Sequence, residues 1–321
     1  MSDPTPEIDD PIKTAPRNRT VRLDRGETEV LRHKLLTSDS DLARENILDK
    51  TILGDCFSVL PRLPRAFADL AILDPPYNRG KTFGDRRHGK QSLDSYCAWL
   101  GEILDLVLPT LKPTASVYVC GDWQSTAAIQ TAASSRLKLH NRITWEREKG
   151  RGAARNWKNC SEDIWFCTLS DRFTFNRDAV MTRRRVIAPY RENGGRPKDW
   201  QEAKDGRYRD TAPSNLWTDL TVPFWSMPEN TEHPTQKPEK LIAKLILASS
   251  NPGDVILDPF SGSGTSAVVA KKLDRRYVAI EREEGYALLT EKRLALAEAN
   301  RSVQGFADGV FWERNSKPRK S

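Results

Sequence analysis

What this chain lacks narrows its class before any motif is read. It has only five cysteines (Cys56, Cys97, Cys120, Cys160, Cys167), and none forms a Cys-x-x-Cys pair. They read as reduced thiols, which argues against a disulfide frame or a zinc site; no metal is expected. No apolar stretch approaches the ~18 residues of a membrane span. The first residues are acidic and proline-rich, without the apolar core of a signal peptide. A soluble cytoplasmic protein with no membrane partner is the expectation. Acids are also the minority charge: 44 Asp and Glu against 51 Lys and Arg give +7 and a pI near 9.1. That balance suits a polyanionic partner. At 321 residues the length fits an α/β sheet with insertions.

Residues 1–46 mix Pro, Asp, Arg and Thr with little periodicity and are expected to be mostly mobile, with a short helix near Glu27–Leu36. Order is expected from Ile47. Short apolar runs predict strands starting near residues 51, 69, 115, 141, 163, 255 and 277, those at 141 and 163 as an antiparallel edge pair. Apolar residues at three- and four-residue spacing predict helices over 93–108 and 238–250, and helices are also expected over 126–134, 265–273 and 286–299. From 170 to 231 the pattern is lost. Arginines, among them Arg183, Arg184 and Arg185, alternate with Tyr190, Trp200, Tyr208, Trp217 and Trp225. Basic and aromatic residues interleaved suit a nucleic-acid surface, by phosphate contact and stacking. A solvated charged insertion has the same composition.

Two stretches carry chemistry. Asp74-Pro75-Pro76-Tyr77 follows the apolar run Ala68–Leu73. Proline fixes φ and donates no N–H, so the turn is stiff and rich in acceptors. Asp74 and the Pro75 carbonyl can converge on one small group while the Tyr77 ring lies against something flat. An exocyclic amine on a nucleobase fits that description; so does a plain turn that ends a strand. The second stretch, Asp258-Pro259-Phe260-Ser261-Gly262-Ser263-Gly264, leads from a strand into a helix, and the next strand ends in Glu281. Glycines let backbone approach a ligand, the helix start offers N–H groups, and a carboxylate there can accept from ribose hydroxyls. Gly262 to Ala267 also fits the dinucleotide form G-x-G-x-x-A. An oxidoreductase is disfavoured because only one strand follows the glycine turn, where a dinucleotide fold continues through several βα units.

Taken together with Gly54-Asp55-Cys56, Asn215-Leu216-Trp217, His233-Pro234-Thr235-Gln236-Lys237-Pro238 and Ala279-Ile280-Glu281-Arg282, these motifs make the chain resemble the β-group of S-adenosylmethionine-dependent DNA amino-methyltransferases. The resemblance implies a seven-stranded, mostly parallel Rossmann-like sheet with helices on both faces and a circularly permuted motif order. It divides the chain into a catalytic half (47–169), an inserted target-recognition segment (170–231), a cofactor half (232–300) and a basic tail (301–321). It makes Asp74, Pro75 and Tyr77 catalytic. It assigns Asp55, Cys56, Asp74, His233, Thr235, Gln236, Lys237, Phe260, Ser261, Gly262, Gly264, Thr265, Glu281 and Arg282 to S-adenosylmethionine, with Lys237 near the methionine carboxylate. Arg79, Lys81, Arg86, Arg87, Arg151, Arg155, Arg183, Arg184 and Arg185 are the expected DNA contacts. The implied activity is methylation of a flipped base in double-stranded DNA, adenine N6 for an Asp-Pro-Pro-Tyr motif. Cytosine N4, or a non-catalytic DNA-binding subunit, are the alternatives. The resemblance also admits a homodimer and a cognate restriction endonuclease.

Overall fold

The computed structural model describes residues 17–24, 26–78, 91–147, 154–186, 190–202 and 206–314, with backbone alone at 82–83, 86–87 and 203. Along the chain lie β1 (Leu36–Thr37), β2 (Lys50–Leu53), α1 (Cys56–Val59), β3 (Ala68–Leu73), α2 (Leu93–Val107), β4 (Leu111–Gly121), α3 (Thr126–Ser134), β5 (Lys138–Glu146) and β6 (Ser161–Thr168). They are followed by β7 (Thr182–Arg185), β8 (Gln201–Ala203), β9 (Gly206–Thr211), β10 (Leu216–Trp217), α4 (Glu239–Ser249), β11 (Val255–Asp258), α5 (Thr265–Lys272), β12 (Arg276–Glu281), α6 (Glu284–Ala299), β13 (Phe306–Ala307) and β14 (Val310–Trp312).

The main sheet has nine strands in the order β1-β2-β12-β11-β3-β4-β6-β5-β10. All seven expected strands are in it. The expectation of seven needs correcting by two short edge strands, β1 and β10. Each spans two residues, too few to show a period of two. Every neighbouring pair is parallel except those of β6, which runs against both β4 and β5. The β5–β6 pair is antiparallel as expected, but it is not at the edge, because β10 covers β5.

Side chains on the parallel strands alternate between two cores, as a period of two demands. Ala71 and Leu73 of β3 face the core built with α2 and α3. Leu70 and Ile72 face the core built with α4, α5 and α6. Every residue of α4 is buried, so its lysines need partners. Lys240 and Lys244 each lie 2.7 Å from Asp219.

A second sheet, β8-β9-β7-β14-β13, gives order to the region without periodicity. It draws β13 and β14 from the stretch expected to be a basic tail, and Phe311 is fully buried there. Residues 17–46 differ from expectation in a similar way, residues 1–16 lying outside the described residues. Val21, Leu23, Leu31 and Leu35 form a small core with Ala287, Leu288 and Leu289 of α6. The backbone N–H groups of Arg19 and Val21 donate to Trp225 and Asn230. The helix expected over 27–36 is present at Thr28–Arg32. A few apolar residues spaced to meet one helix hold this region, though its composition is that of a mobile one.

Candidate active site

Parallel strands deliver their carboxyl ends to one side of a sheet, where ligands of such folds bind. Here β2, β3, β11 and β12 bring Asp55, Asp74, Asp258 and Glu281 to a single cavity. The expected residues Cys56, Pro75, Tyr77, His233, Thr235, Gln236, Lys237, Phe260, Ser261, Gly262, Thr265 and Arg282 line it too. The Asp74 turn and the glycine turn, far apart in sequence, thus open into one space.

At the Asp74 corner the contacts are ionic. Lys237 Nζ lies 2.6 Å from Asp74 Oδ2, and the Tyr77 hydroxyl donates to Asp74 Oδ1 at 3.1 Å. Behind them stands Glu162, at the start of β6 and nearly enclosed. It accepts from the Tyr77 hydroxyl at 3.2 Å and from Arg147 at 2.6 Å. Burial works to lower the Lys237 ammonium, but Asp74 and Glu162 outweigh it and hold the group above its usual range. Burial, followed by the Asp74 and Glu162 charges, pushes the Tyr77 hydroxyl well up, so it stays a donor. The Tyr96 hydroxyl fixes the turn by donating to the Pro76 carbonyl at 3.0 Å. Lys237, expected at a methionine carboxylate, pairs with Asp74.

At the glycine corner the contacts run through backbone. Gly262, at φ 53°, donates its N–H to Glu281 Oε2 at 2.7 Å, and Glu283 N–H donates to Oε1 at 2.8 Å. Burial raises Glu281 to about 7. Asp258 is raised to about 7 for the same reason, while accepting from the Phe260 N–H at 3.0 Å. A Cβ on Gly262 would come within 2.9 Å of the His233 ring. Gly264 does not line the cavity. A Cβ there would lie 2.3 Å from Thr290 Cγ2, so this glycine lets α5 approach α6. The buried Ser261 hydroxyl has no hydrogen-bond partner among the described residues.

Several expected residues are committed locally. Asp55 caps α1 by accepting the Phe57 N–H at 2.9 Å. Gln236 staples its own turn, accepting from Thr231 N–H at 2.9 Å and donating to the Glu229 carbonyl at 2.6 Å. Thr265 accepts from buried Arg293 at 3.0 Å, and Arg282 pairs with Glu283 at 3.0 Å. Burial, then Asp55, raises the Cys56 thiol to about 12 and keeps it protonated.

Of the expected DNA contacts, Arg79, Lys81 and Arg151 lie outside the described residues, and Arg86 and Arg87 are described by backbone only. Arg155 and Arg185 are exposed. Arg183 is not a free surface charge. Its guanidinium makes two 2.7 Å bonds to Asp210 and lies over the Trp312 ring.

Sequence reasoning missed Glu162, Arg147, Phe57, Trp99 and Tyr286. Phe57, Trp99 and Phe260 form an aromatic wall, Trp99 lying 6.3 Å and 6.2 Å from the other two. Trp99 hides in the amphipathic pattern of α2. Glu162 left one signal, an acidic pair before the apolar run Ile164–Cys167.

Comparisons with known proteins give the family and the fold. The DNA methylase family matches residues 68–292. The DNA adenine methyltransferase YhdJ of Escherichia coli K12 is 32% identical over 256 residues, covering 77% of this chain and 83% of that protein. Among solved structures, an M1.HpyAVI–SAM complex aligns with TM-score 0.52 and 22% identity, over 76% of this chain and 98% of that one. The PvuII cytosine-N4-specific DNA methyltransferase aligns with TM-score 0.55 and 15% identity, over 84% and 95%. A carboxylate–tyrosine turn and a glycine turn sharing one cavity, with a family match that spans both, make this chain a member of the DNA methylase family.

Proposed function

We propose that the chain transfers a methyl group from S-adenosylmethionine to the N6 amine of an adenine extruded from double-stranded DNA. The observation that carries this reading is the shared cavity: Asp74 and Tyr77 at one end, Gly262 and Glu281 at the other. The residues present suit the cofactor. Glu281 offers a carboxylate to a ribose diol, the Phe57–Trp99–Phe260 wall offers apolar faces to an adenine ring, and the Ser261 hydroxyl is a buried group in want of a partner. When bound, the cofactor supplies an electrophilic methyl group on a sulfonium.

The protein's own part is presentation of the amine. The lone pair of an aromatic amine is delocalised into the ring and is a poor nucleophile. Acceptors at Asp74 and the Pro75 carbonyl that draw the N–H bonds out of plane favour the tetrahedral nitrogen of the transition state. Tyr77, its hydroxyl tied to two carboxylates, holds its ring in one orientation for stacking. Most of the acceleration then comes from alignment. Asp74 acts as an acceptor for the amine protons, and a proton leaves once the nitrogen has become cationic.

In this reading 47–169 is the catalytic half, 232–300 the cofactor half, and 170–231 carries target recognition, so catalytic and cofactor motifs stand in permuted order. The DNA face is the rim of the cavity. Exposed Trp123 follows β4 and exposed Trp157 precedes β6, both at the sheet end where Asp74 lies. Adenine is favoured by the acid at position 74 and by the name of the 32%-identical relative. The test is tritium transfer from labelled cofactor to duplex DNA, followed by hydrolysis to bases. Label in N6-methyladenine is the expected result. Label in N4-methylcytosine would overturn the choice of base, and cofactor binding with no label in DNA would overturn the reaction.

A further inference from the structure

Both partners of Asp74 share a second acceptor. Lys237 Nζ lies 2.6 Å from Asp74 Oδ2 and 3.7 Å from Glu162 Oε2. The Tyr77 hydroxyl lies 3.1 Å from Asp74 Oδ1 and 3.2 Å from that same Glu162 oxygen. The other Glu162 oxygen is held from behind by Arg147 at 2.6 Å. Lys237 and Glu162 are almost out of solvent, at 7% and 4% side-chain exposure. A cation stranded there would carry a large desolvation cost.

An amine that is to donate to Asp74 competes with the two donors already seated on it, Lys237 on Oδ2 and the Tyr77 hydroxyl on Oδ1. Of the two donors, lysine has the flexible stem and a compact charge that can turn. A shift of about 1 Å brings it within hydrogen-bond range of Glu162. We infer that Glu162 is a positioning residue for the target base: it receives Lys237 and the Tyr77 hydroxyl when Asp74 turns to the amine. The base then enters without leaving a buried cation alone, and the Tyr77 ring keeps its orientation as its second tether is released. This inference rests on the reading of Asp74 and Tyr77 as the base-holding corner.

The test uses the full chain, with the recognition site fixed by base-resolved sequencing of DNA from expressing cells. Glu162→Gln keeps an oxygen for Tyr77 but removes the charge that receives Lys237. The expected result is a fall in kcat of about 10–100-fold with KM for S-adenosylmethionine unchanged. Without cofactor, the fluorescence rise of 2-aminopurine at the target position should shrink in the same variant. Glu162→Asp should restore part of both signals. Lys237→Met should mask the effect, so that Lys237→Met/Glu162→Gln is no slower than Lys237→Met alone. Should Glu162→Gln fold poorly, Glu162→Asp and the double variant carry the test.

Wild-type kcat and fluorescence in Glu162→Gln would overturn the inference. So would additive losses in the double variant, or a loss confined to cofactor binding or melting temperature. Asp74→Ala separates this from failure of the underlying reading. If it retains turnover, the base corner itself is misplaced. If it is inactive while Glu162→Gln is normal, only the role of Glu162 falls.

Discussion

The glycine corner and the Asp74 corner of the cavity are built from different materials. Around Gly262 the shaping contacts are backbone N–H groups on Glu281 and the close approach of two helices at Gly264. Around Asp74 they are side-chain charges from four distant stretches, at residues 74, 147, 162 and 237. A backbone-built corner gains its shape from local conformation and loses it when an atom is added. A charge-built corner tolerates volume changes better but depends on every ion having a partner. Substitutions should therefore fail differently at the two ends: through function at Asp74, through stability at the glycines.

Asp74→Ala should show the largest effect. It removes the acceptor proposed for the amine, and Lys237 retains Glu162 within 3.7 Å, so the buried cation keeps one counter-charge. Methyl transfer should fall by about 10³-fold, a typical cost of removing a transition-state acceptor. Single-turnover transfer measured beside cofactor affinity and melting temperature checks it. Equal losses in all three would erase the contrast between the corners.

Gly264→Ala should behave in the opposite manner. The backbone there sits at φ 76°, and the new Cβ would meet Thr290 at 2.3 Å. Overpacking and left-handed strain together should cost about 2–4 kcal/mol, seen as a lower urea midpoint with or without cofactor. Thr290→Ala in the same chain should recover only part of the packing share, because Thr290 Cβ would still lie 2.8 Å from the new methyl, and roughly 1 kcal/mol of backbone strain remains as well.

The same difference in material decides what the sequence discloses. Strand ends, prolines and glycines are local, so the seven longer strands, the Asp74 turn and Glu281 can be read from their neighbours in the chain. Glu162 cannot. It becomes part of the site because β6 runs antiparallel between β4 and β5, and that pairing sets Glu162 opposite Trp145. Lys237 is legible as a site residue, but not its partner, which lies 163 residues away. The second sheet is illegible for a related reason. Its strands are short and pair with the chain's last described residues, a register that no local period encodes.

Titration should sharpen the comparison further. Burial raises Glu281 and Asp258 to about 7, above the ordinary carboxylate range. The folded chain therefore binds more protons than the unfolded chain between about pH 4 and 7. Their contribution to stability is greatest below that window, declines as pH rises through it, and is flat above. Cofactor affinity should run the other way, because ionised Glu281 is the better acceptor for ribose hydroxyls. Calorimetry from pH 6 to 8 should show affinity rising by about 3–10-fold, a trend absent in Glu281→Gln. Lys237, held above its usual range by Asp74 and Glu162, should add no titration in that interval.

The smallest expected effect lies outside both corners, in the arginine row of β7. Composition alone treats Arg183 and Arg185 as equivalent DNA contacts, yet their surroundings differ. Arg183 is spent on Asp210 and the Trp312 ring, whereas Arg185 is exposed. A guanidinium already committed to a carboxylate has little to give a phosphate. Arg185→Ala should weaken duplex binding about 2–5-fold at moderate salt and reduce the slope of log K against log salt by roughly one. Arg183→Ala should leave that slope unchanged and cost up to about 1 kcal/mol of stability through the lost pair and ring contact. Fluorescence anisotropy across a salt series distinguishes the two. Equal slopes for both variants would mean that the Asp210 pair opens on DNA, and that exposure in the free protein does not sort these arginines.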